Sequence, residues 1–222
     1  WREENTTNIT SHVNHAHFLY SCYFTKHITH TYLTPRISQY QVQRLHNRYA
    51  QSEHLTFKGV PIDGTLAEYT EKMQEKGFQY LYSENGLTIL QGDFAGYKNC
   101  QIGVSTLDNM DLVSTIAVIF TTYDSWGNLY GNYANLKEML SEKYGKPSMV
   151  VEKFQSSYVD DDNGRMYEVR MDRCKYYSIF KISLGTIELS INKADYGGGF
   201  VMLRYQDKVN STETRAAAMD DL

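Results

Sequence analysis

Histidine is the side chain best placed to do chemistry near neutral pH, and here it is unevenly spread. His12, His15, His17, His27, His30 and His46 fall in the first 46 residues, and only His54 follows. Imidazoles at such spacings are ligands for Zn²⁺ or Cu²⁺, and an HxxH pair can share one helix face. A metal centre also needs a scaffold that fixes its ligands. Residues 1–49 are rich in His, Asn, Tyr and Thr and carry no amphipathic period. No metal or other cofactor is therefore expected.

Asp160-Asp161-Asp162-Asn163-Gly164 has the composition of a calcium loop. With Gly164 at loop position six, position one is Val159 and position twelve is Arg170, neither of them a ligand. The segment reads as an acidic hairpin loop. From residue 50 onward a catalytic triad would have to pass through His54, and no Ser or Cys signature adjoins it. A Gly-x-Ser-x-Gly elbow and a phosphate loop are both absent. Gly197-Gly198-Gly199 lacks the Lys and the following helix and reads as a turn or bulge. Paired carboxylates for glycoside hydrolysis need only two acids at the right spacing, and nothing in the pattern selects a pair. No catalytic residue is assigned.

Aromatic residues remain as binding candidates: Trp126, Tyr130, Tyr158, Tyr167, Tyr176, Tyr177 and Tyr196. Tyr and Trp carry stiff, amphipathic surfaces favoured at protein interfaces and under sugars. The competing reading is ordinary core and cross-strand packing. Cys22 lies in the His-rich segment. Cys100 and Cys174 each precede a strand segment, in what read as equivalent parts of two repeats, and are a disulfide candidate for an oxidising compartment. Two buried thiols are the alternative.

The elements that would hold these residues are well signalled after residue 50. Pro61-Ile62-Asp63-Gly64 reads as a turn after a leading strand near Leu55–Lys58. Thr65 and Glu68 form a capping box. Leu66, Tyr69 and Met73 then share a helix face, and Lys76-Gly77 ends the helix. A second helix starts at Asp124 or Ser125, buries Trp126, Tyr130, Tyr133, Leu136 and Leu140, and ends at Lys143-Tyr144-Gly145 before Pro147. Strands are expected near 78–83, 87–94, 99–106 and 112–121, then near 148–154, 166–172, 175–184, 186–192 and 199–206. Ile187, Leu189 and Ile191 alternate with Thr186, Glu188 and Ser190, the pattern of a sheet with one wet face. Glu84-Asn85-Gly86 and Leu184-Gly185 read as hairpin turns. Connections this short exclude parallel crossovers, so the sheet should be mostly antiparallel.

The expected fold class is α+β: two tandem repeats, each one helix followed by antiparallel strands, with the helices packed on a mostly antiparallel sheet. The similar endings Glu75-Lys76-Gly77 and Glu142-Lys143-Tyr144-Gly145 point to a duplication. Expected units are residues 1–50 (a disordered, spurious or leader-replacing segment), 51–122 and 123–206 (the repeats), and 207–222 (a flexible tail).

Charge separates along the chain. Residues 1–49 carry a net +3 and residues 50–222 a net −7, which together make the formal −4. The acidic part argues against nucleic acid as a partner. No apolar run reaches 18 residues, so no transmembrane segment is expected.

Several phrases resemble an uncharacterised family of small secreted proteins from gut-dwelling anaerobic bacteria. They are Phe57-Lys58-Gly59-Val60-Pro61-Ile62-Asp63-Gly64-Thr65-Leu66, Phe94-Ala95-Gly96-Tyr97-Lys98-Asn99-Cys100, Tyr123-Asp124-Ser125-Trp126, Gly145-Lys146-Pro147-Ser148, Arg173-Cys174-Lys175-Tyr176-Tyr177 and Met219-Asp220-Asp221-Leu222. The resemblance runs from about Gln51 to the C-terminus. It implies export, periplasmic or extracellular, and no activity. Tyr49-Ala50-Gln51-Ser52 resembles the end of a bacterial signal peptide, with cleavage after Ala50. Residues 1–49, which begin at Trp1, lack the apolar stretch of such a peptide. They are expected to be an upstream or wrong-frame translation, the rival being a genuine extension. The helix-plus-sheet plan also resembles the β-lactamase-inhibitory-protein-like architecture. The expected role is non-enzymatic binding of a protein, peptide or glycan, inhibitor-like in style. A carboxylate-based hydrolase and a structural envelope-associated protein are the alternatives.

Overall fold

The computed structural model describes residues 54–107, 110–156 and 159–212. It begins with a small hairpin, β1 (Thr56–Phe57) against β2 (Val60–Pro61). Lys58 and Gly59 turn it with φ of 52° and 77°, the twist that two-residue hairpins require. Pro61, read as part of a turn, therefore lies in β2.

Helix α1 (Leu66–Glu75) starts on the Thr65/Glu68 capping box. The Glu68 amide donates to Thr65 Oγ1 at 3.3 Å and the Thr65 amide to Glu68 Oε2 at 3.2 Å. Tyr69, Thr70 and Met73 are buried along one face, and Gly77 leaves the helix with φ of 91°.

Strands β3 (Gln79–Glu84), β4 (Leu87–Phe94), β5 (Tyr97–Leu107) and β6 (Met110–Ile119) follow. Helix α2 (Trp126–Tyr144), β7 (Met149–Phe154), α3 (Asp162–Arg170), β8 (Cys174–Ile182), β9 (Gly185–Lys193) and β10 (Gly199–Asp207) complete the elements. A short helical turn, residues 208–212, trails β10. The eight strands from β3 to β10 form one sheet in the order β3-β4-β5-β6-β10-β9-β8-β7. Every pairing is antiparallel.

The tandem-repeat plan is overturned by that order. β6 pairs with β10 over Met202–Ile119 to Gln206–Thr115, so the strands make one large antiparallel sheet and not two helix-strand units. The two parts also differ in content. α1 has 10 residues and α2 has 19. α3 separates β7 from β8, where Asn85-Gly86 alone joins β3 to β4. The matching Glu-Lys endings have a local cause: Gly77 and Gly145 both take positive φ, 91° and 83°, which any helix stop can demand.

Three further expectations change. Residues 166–172, read as a strand, are mostly α3. Asp161 caps that helix by accepting from the Gly164 amide at 2.7 Å, and the cap outweighs an ambiguous short run. The Leu184-Gly185 turn is shifted: residues 183–184 turn and Gly185 already lies in β9. A Cβ on Gly185 would lie 2.2 Å from the Gln206 carbonyl oxygen, so glycine is needed for backbone approach and not for a turn. The presumed tail begins with buried groups, Asp207 and Asn210, at 0% and 1% exposure.

One face of the sheet holds the core. The cross-sheet row Tyr80–Leu90–Ile102–Val118–Leu203–Leu189–Ser178–Val150 runs through all eight strands, and Leu90 through Ser178 are buried. Leu90, Ile102, Val118, Leu203 and Leu189 each contribute about 1.5–3 kcal/mol by leaving water. α2 reaches this face through Tyr133, whose hydroxyl meets Ser178 Oγ at 2.7 Å. Lys137 pairs with Glu152 on β7 at 2.6 Å. A Cβ on Gly199 would collide with Leu129 of α2 and Val169 of α3 at 2.7 and 2.8 Å, so both helices press on the start of β10.

Candidate functional site: the helix-free face of the sheet

The opposite face is different in kind. One row is Tyr82–Ile89–Gly103–Ala117–Arg204–Glu188–Ile179–Met149, and the next is Gln79–Gln91–Gln101–Ile119–Met202–Ser190–Tyr177–Val151. Because side chains alternate along a strand, these rows point away from the core row. Among the described residues, no helix side chain makes a hydrogen bond, ion pair or ring contact with them. Gln79, Gln91 and Gln101 stand together on β3–β5, and the aliphatic groups Ile119, Met202, Ile179 and Val151 lie on β6, β10, β8 and β7, with Arg204 and Glu188 among them. The β7–β10 part carries Lys153, Lys175, Lys181 and Arg204 against Glu188. This basic surface stands on a part of the chain whose net charge is −7.

The seven predicted aromatics do not form one platform. Trp126, Tyr130 and Tyr176 come together with Phe154 and Tyr133 on the core side, between α2, β7 and β8. Trp126 is 6% exposed. Its ring centroid lies 4.9 Å from Phe154, 5.0 Å from Tyr176 and 5.5 Å from Tyr130. Tyr130, expected on the inner face of α2, is 40% exposed at its border. Burial holds the Tyr176 hydroxyl above its ordinary pKa. Tyr167 is exposed on α3 with the Arg173 guanidinium 5.3 Å above its ring, and Tyr196 is fully exposed beyond β9. Tyr177 alone reaches the helix-free face. Tyr158 lies outside the described residues, as do Cys22 and His12, His15, His17, His27, His30 and His46.

The Cys100–Cys174 bridge is not formed; both thiols are free and buried. Cys100 is on β5 and Cys174 on β8, four strand spacings apart in the sheet, about 19 Å at the usual spacing. A disulfide needs Cα atoms within about 7 Å. Burial raises both thiols, Cys174 to about 12, so neither is a ready nucleophile.

His54 is clasped. Its Nδ1 lies 3.1 Å from Asp207 Oδ2 and its Nε2 lies 3.8 Å from Asp63 Oδ2. The position a nucleophile would take beyond Nε2 faces a carboxylate. Asp207 also accepts from the Leu55 amide at 2.6 Å and the Asn210 amide at 3.0 Å. The Asn210 side chain donates to the carbonyls of Ile62 and Val113 at 3.1 and 2.8 Å. The group ties β1 and β2 to the end of β10. Burial pushes the Asp63 carboxyl up, but hydrogen bonds from Gly64 and Asn210 and the charges of His54 and Lys72 outweigh it and hold the carboxyl below its ordinary value.

The acidic run Asp160–Asp162 is not a hairpin loop but a double helix cap. Besides Asp161 on α3, Asp162 accepts from the Trp126 amide at 3.1 Å and the Gly127 amide at 2.9 Å. It thereby caps α2, whose own N-cap, Ser125, makes no side-chain bond. No group of three or more His, Cys, Asp and Glu among the described residues is placed to hold a metal ion. No helix among them is long and apolar enough to cross a membrane.

No protein-family model, curated protein or solved structure matches this chain. The residues that sequence reasoning missed are Ala117, Ile119, Ile179 and Met202. A signal was present: strands near 112–121 and 199–206 are apolar at both parities, whereas a face bathed only by water should be polar.

Proposed function

We propose that this is an exported, non-enzymatic binding protein that holds an acidic protein surface on the helix-free face of its sheet. The observation that carries the reading is that rows of aliphatic and polar side chains cross all eight strands of this face, while Lys153, Lys175, Lys181 and Arg204 gather on its β7–β10 part against Glu188. Seven strand spacings by the run from Lys175 to Lys181 along β8 give about 34 Å by about 20 Å, or about 700 Å², close to the ~800 Å² per partner of a standard interface. A sugar platform is disfavoured because Tyr82 and Tyr177, the tyrosines in the two rows, lie six strands apart, about 29 Å. A nucleic acid is disfavoured because the cations are confined to the β7–β10 part of the face and the rest of the fold repels polyanions. Export rests on the resemblance of the stretch from Gln51 onward to secreted proteins.

The test is site-specific photocrosslinking in the native host, with a benzophenone side chain at Met202 or Ile179 and at exposed Glu75 on α1 as control. Adducts from the sheet positions alone, removed by protease but not by glycosidase or nuclease, and weakened in high salt, support the reading. Equal labelling from all three sites, or glycosidase- or nuclease-sensitive adducts, overturns it.

A further inference from the structure

The two edges of the sheet are not equally protected. β7 carries Lys153 and is braced by the Lys137–Glu152 ion pair at 2.6 Å, both devices that discourage strand addition. β3 has the sequence Gln-Tyr-Leu-Tyr-Ser-Glu, with neither Lys nor Pro, and all six residues are exposed. Among the described residues nothing pairs with its outer edge. The register of β3 shifts between Tyr80 and Tyr82. That bulge sends Tyr80 to the core side and Tyr82 to the helix-free side, where an unbroken strand would put both on one face. The rings therefore flank the open edge from opposite sides.

On the Tyr80 side a groove of about 590 Å³ runs between α1 and β3, with Leu66, Ala67, Thr70, Glu71, Tyr80 and Asp111 in its walls. The charged residues of its lining are both acids, Glu71 and Asp111. Asp111 Oδ1 also accepts the Leu66 amide at 2.9 Å, which fixes the carboxylate at the groove wall.

We infer that β3 and the α1 groove form a peptide-binding site that takes an extended segment as a ninth strand. Its alternate residues would be Lys or Arg directed at Glu71 at the mouth of the groove, and apolar residues against Tyr82. Main-chain hydrogen bonds to the outer edge of β3 supply register-tolerant affinity, and the acid-lined groove supplies choice among sequences. Of the helix-free face the site shares only residues of β3, Tyr82 among them, and Glu71 and Ala67 on α1 test it without that face.

The probe is a fluorescein-labelled eight-residue peptide of alternating Val and Lys, followed by anisotropy, with amide NMR shifts to locate it. Expected are saturable binding with shifts at Gln79–Glu84 and not at Met149–Phe154, and at least tenfold weaker binding to Glu71→Lys. A Val–Glu peptide should gain affinity for that same variant. Glu71 and Ala67 are exposed, so Glu71→Lys and the groove-filling Ala67→Trp should melt with the wild type, and both should lose the Val–Lys peptide. Equal binding of a peptide N-methylated at alternate amides would overturn strand addition. Indifference to Glu71→Lys would overturn the groove.

Discussion

Replacing Trp126 with Ala asks whether the aromatic cluster is core or binding platform. The ring is 6% exposed and is met edge-on by Phe154 and Tyr176 at 4.9 and 5.0 Å. Truncating a large buried aromatic costs about 3–5 kcal/mol, and each edge-to-face pair adds about 0.5–1.5 kcal/mol beyond area, so the upper part of that range applies. Against a domain stability of about 5–15 kcal/mol, a loss of about 4–5 kcal/mol lowers Tm by about 8–20 °C at this size. Tyr177→Ala, on the helix-free face and half-buried, should cost about 1 kcal/mol, and Tyr196→Ala less than about 0.5 kcal/mol. Thermal and urea melts of the three variants give the answer. If Trp126→Ala melts within about 2 °C of the wild type, the ring is not core and the packing argument fails.

Asp162→Ala removes the acceptor of two α2 amides and should cost about 1–3 kcal/mol, with Asp162→Asn losing less. Exposed Asp160→Ala should be neutral, and urea midpoints separate them. In a Cys22→Ser background, Cys100 and Cys174 should be inert to a thiol reagent at pH 8 until denaturant is added, when two equivalents react without reductant; silence in denaturant would mean a bridge. Asp63 sits below its ordinary pKa, so its stabilisation is complete above about pH 4 and is lost as pH falls through the lowered folded value. The Tm gap between wild type and Asp63→Ala should therefore narrow in acid, and a gap that widens there contradicts the assignment.

How much was legible follows from how far apart the interacting residues are. The Thr65/Glu68 capping box, the Asn85-Gly86 turn with φ of 48° and 73°, and the buried alternation of Ile187, Leu189 and Ile191 could be read directly. Each depends on neighbours a few residues away, whose geometry the local residue types dictate. Helix α3 was misread because Arg165–Arg170 fits both periods over so short a run, and a cap at Asp161 decides between them. The aromatic cluster was seen as a set of residues, but its side of the sheet was not.

Composition and local spacing determined the elements from residue 54 on apart from α3, their antiparallel pairing, and the lack of any familiar catalytic motif there. Tertiary structure alone decided that β6 meets β10 to make one sheet, that Cys100 and Cys174 stand four strands apart, and that Asp162 caps a helix 36 residues before it. It also decided that His54 is held by Asp207, 153 residues away. The physical reason is that a strand's pattern states which residues share a face. The energy that chooses which face is buried, and which edge is left open, comes from helices and strands remote in the chain.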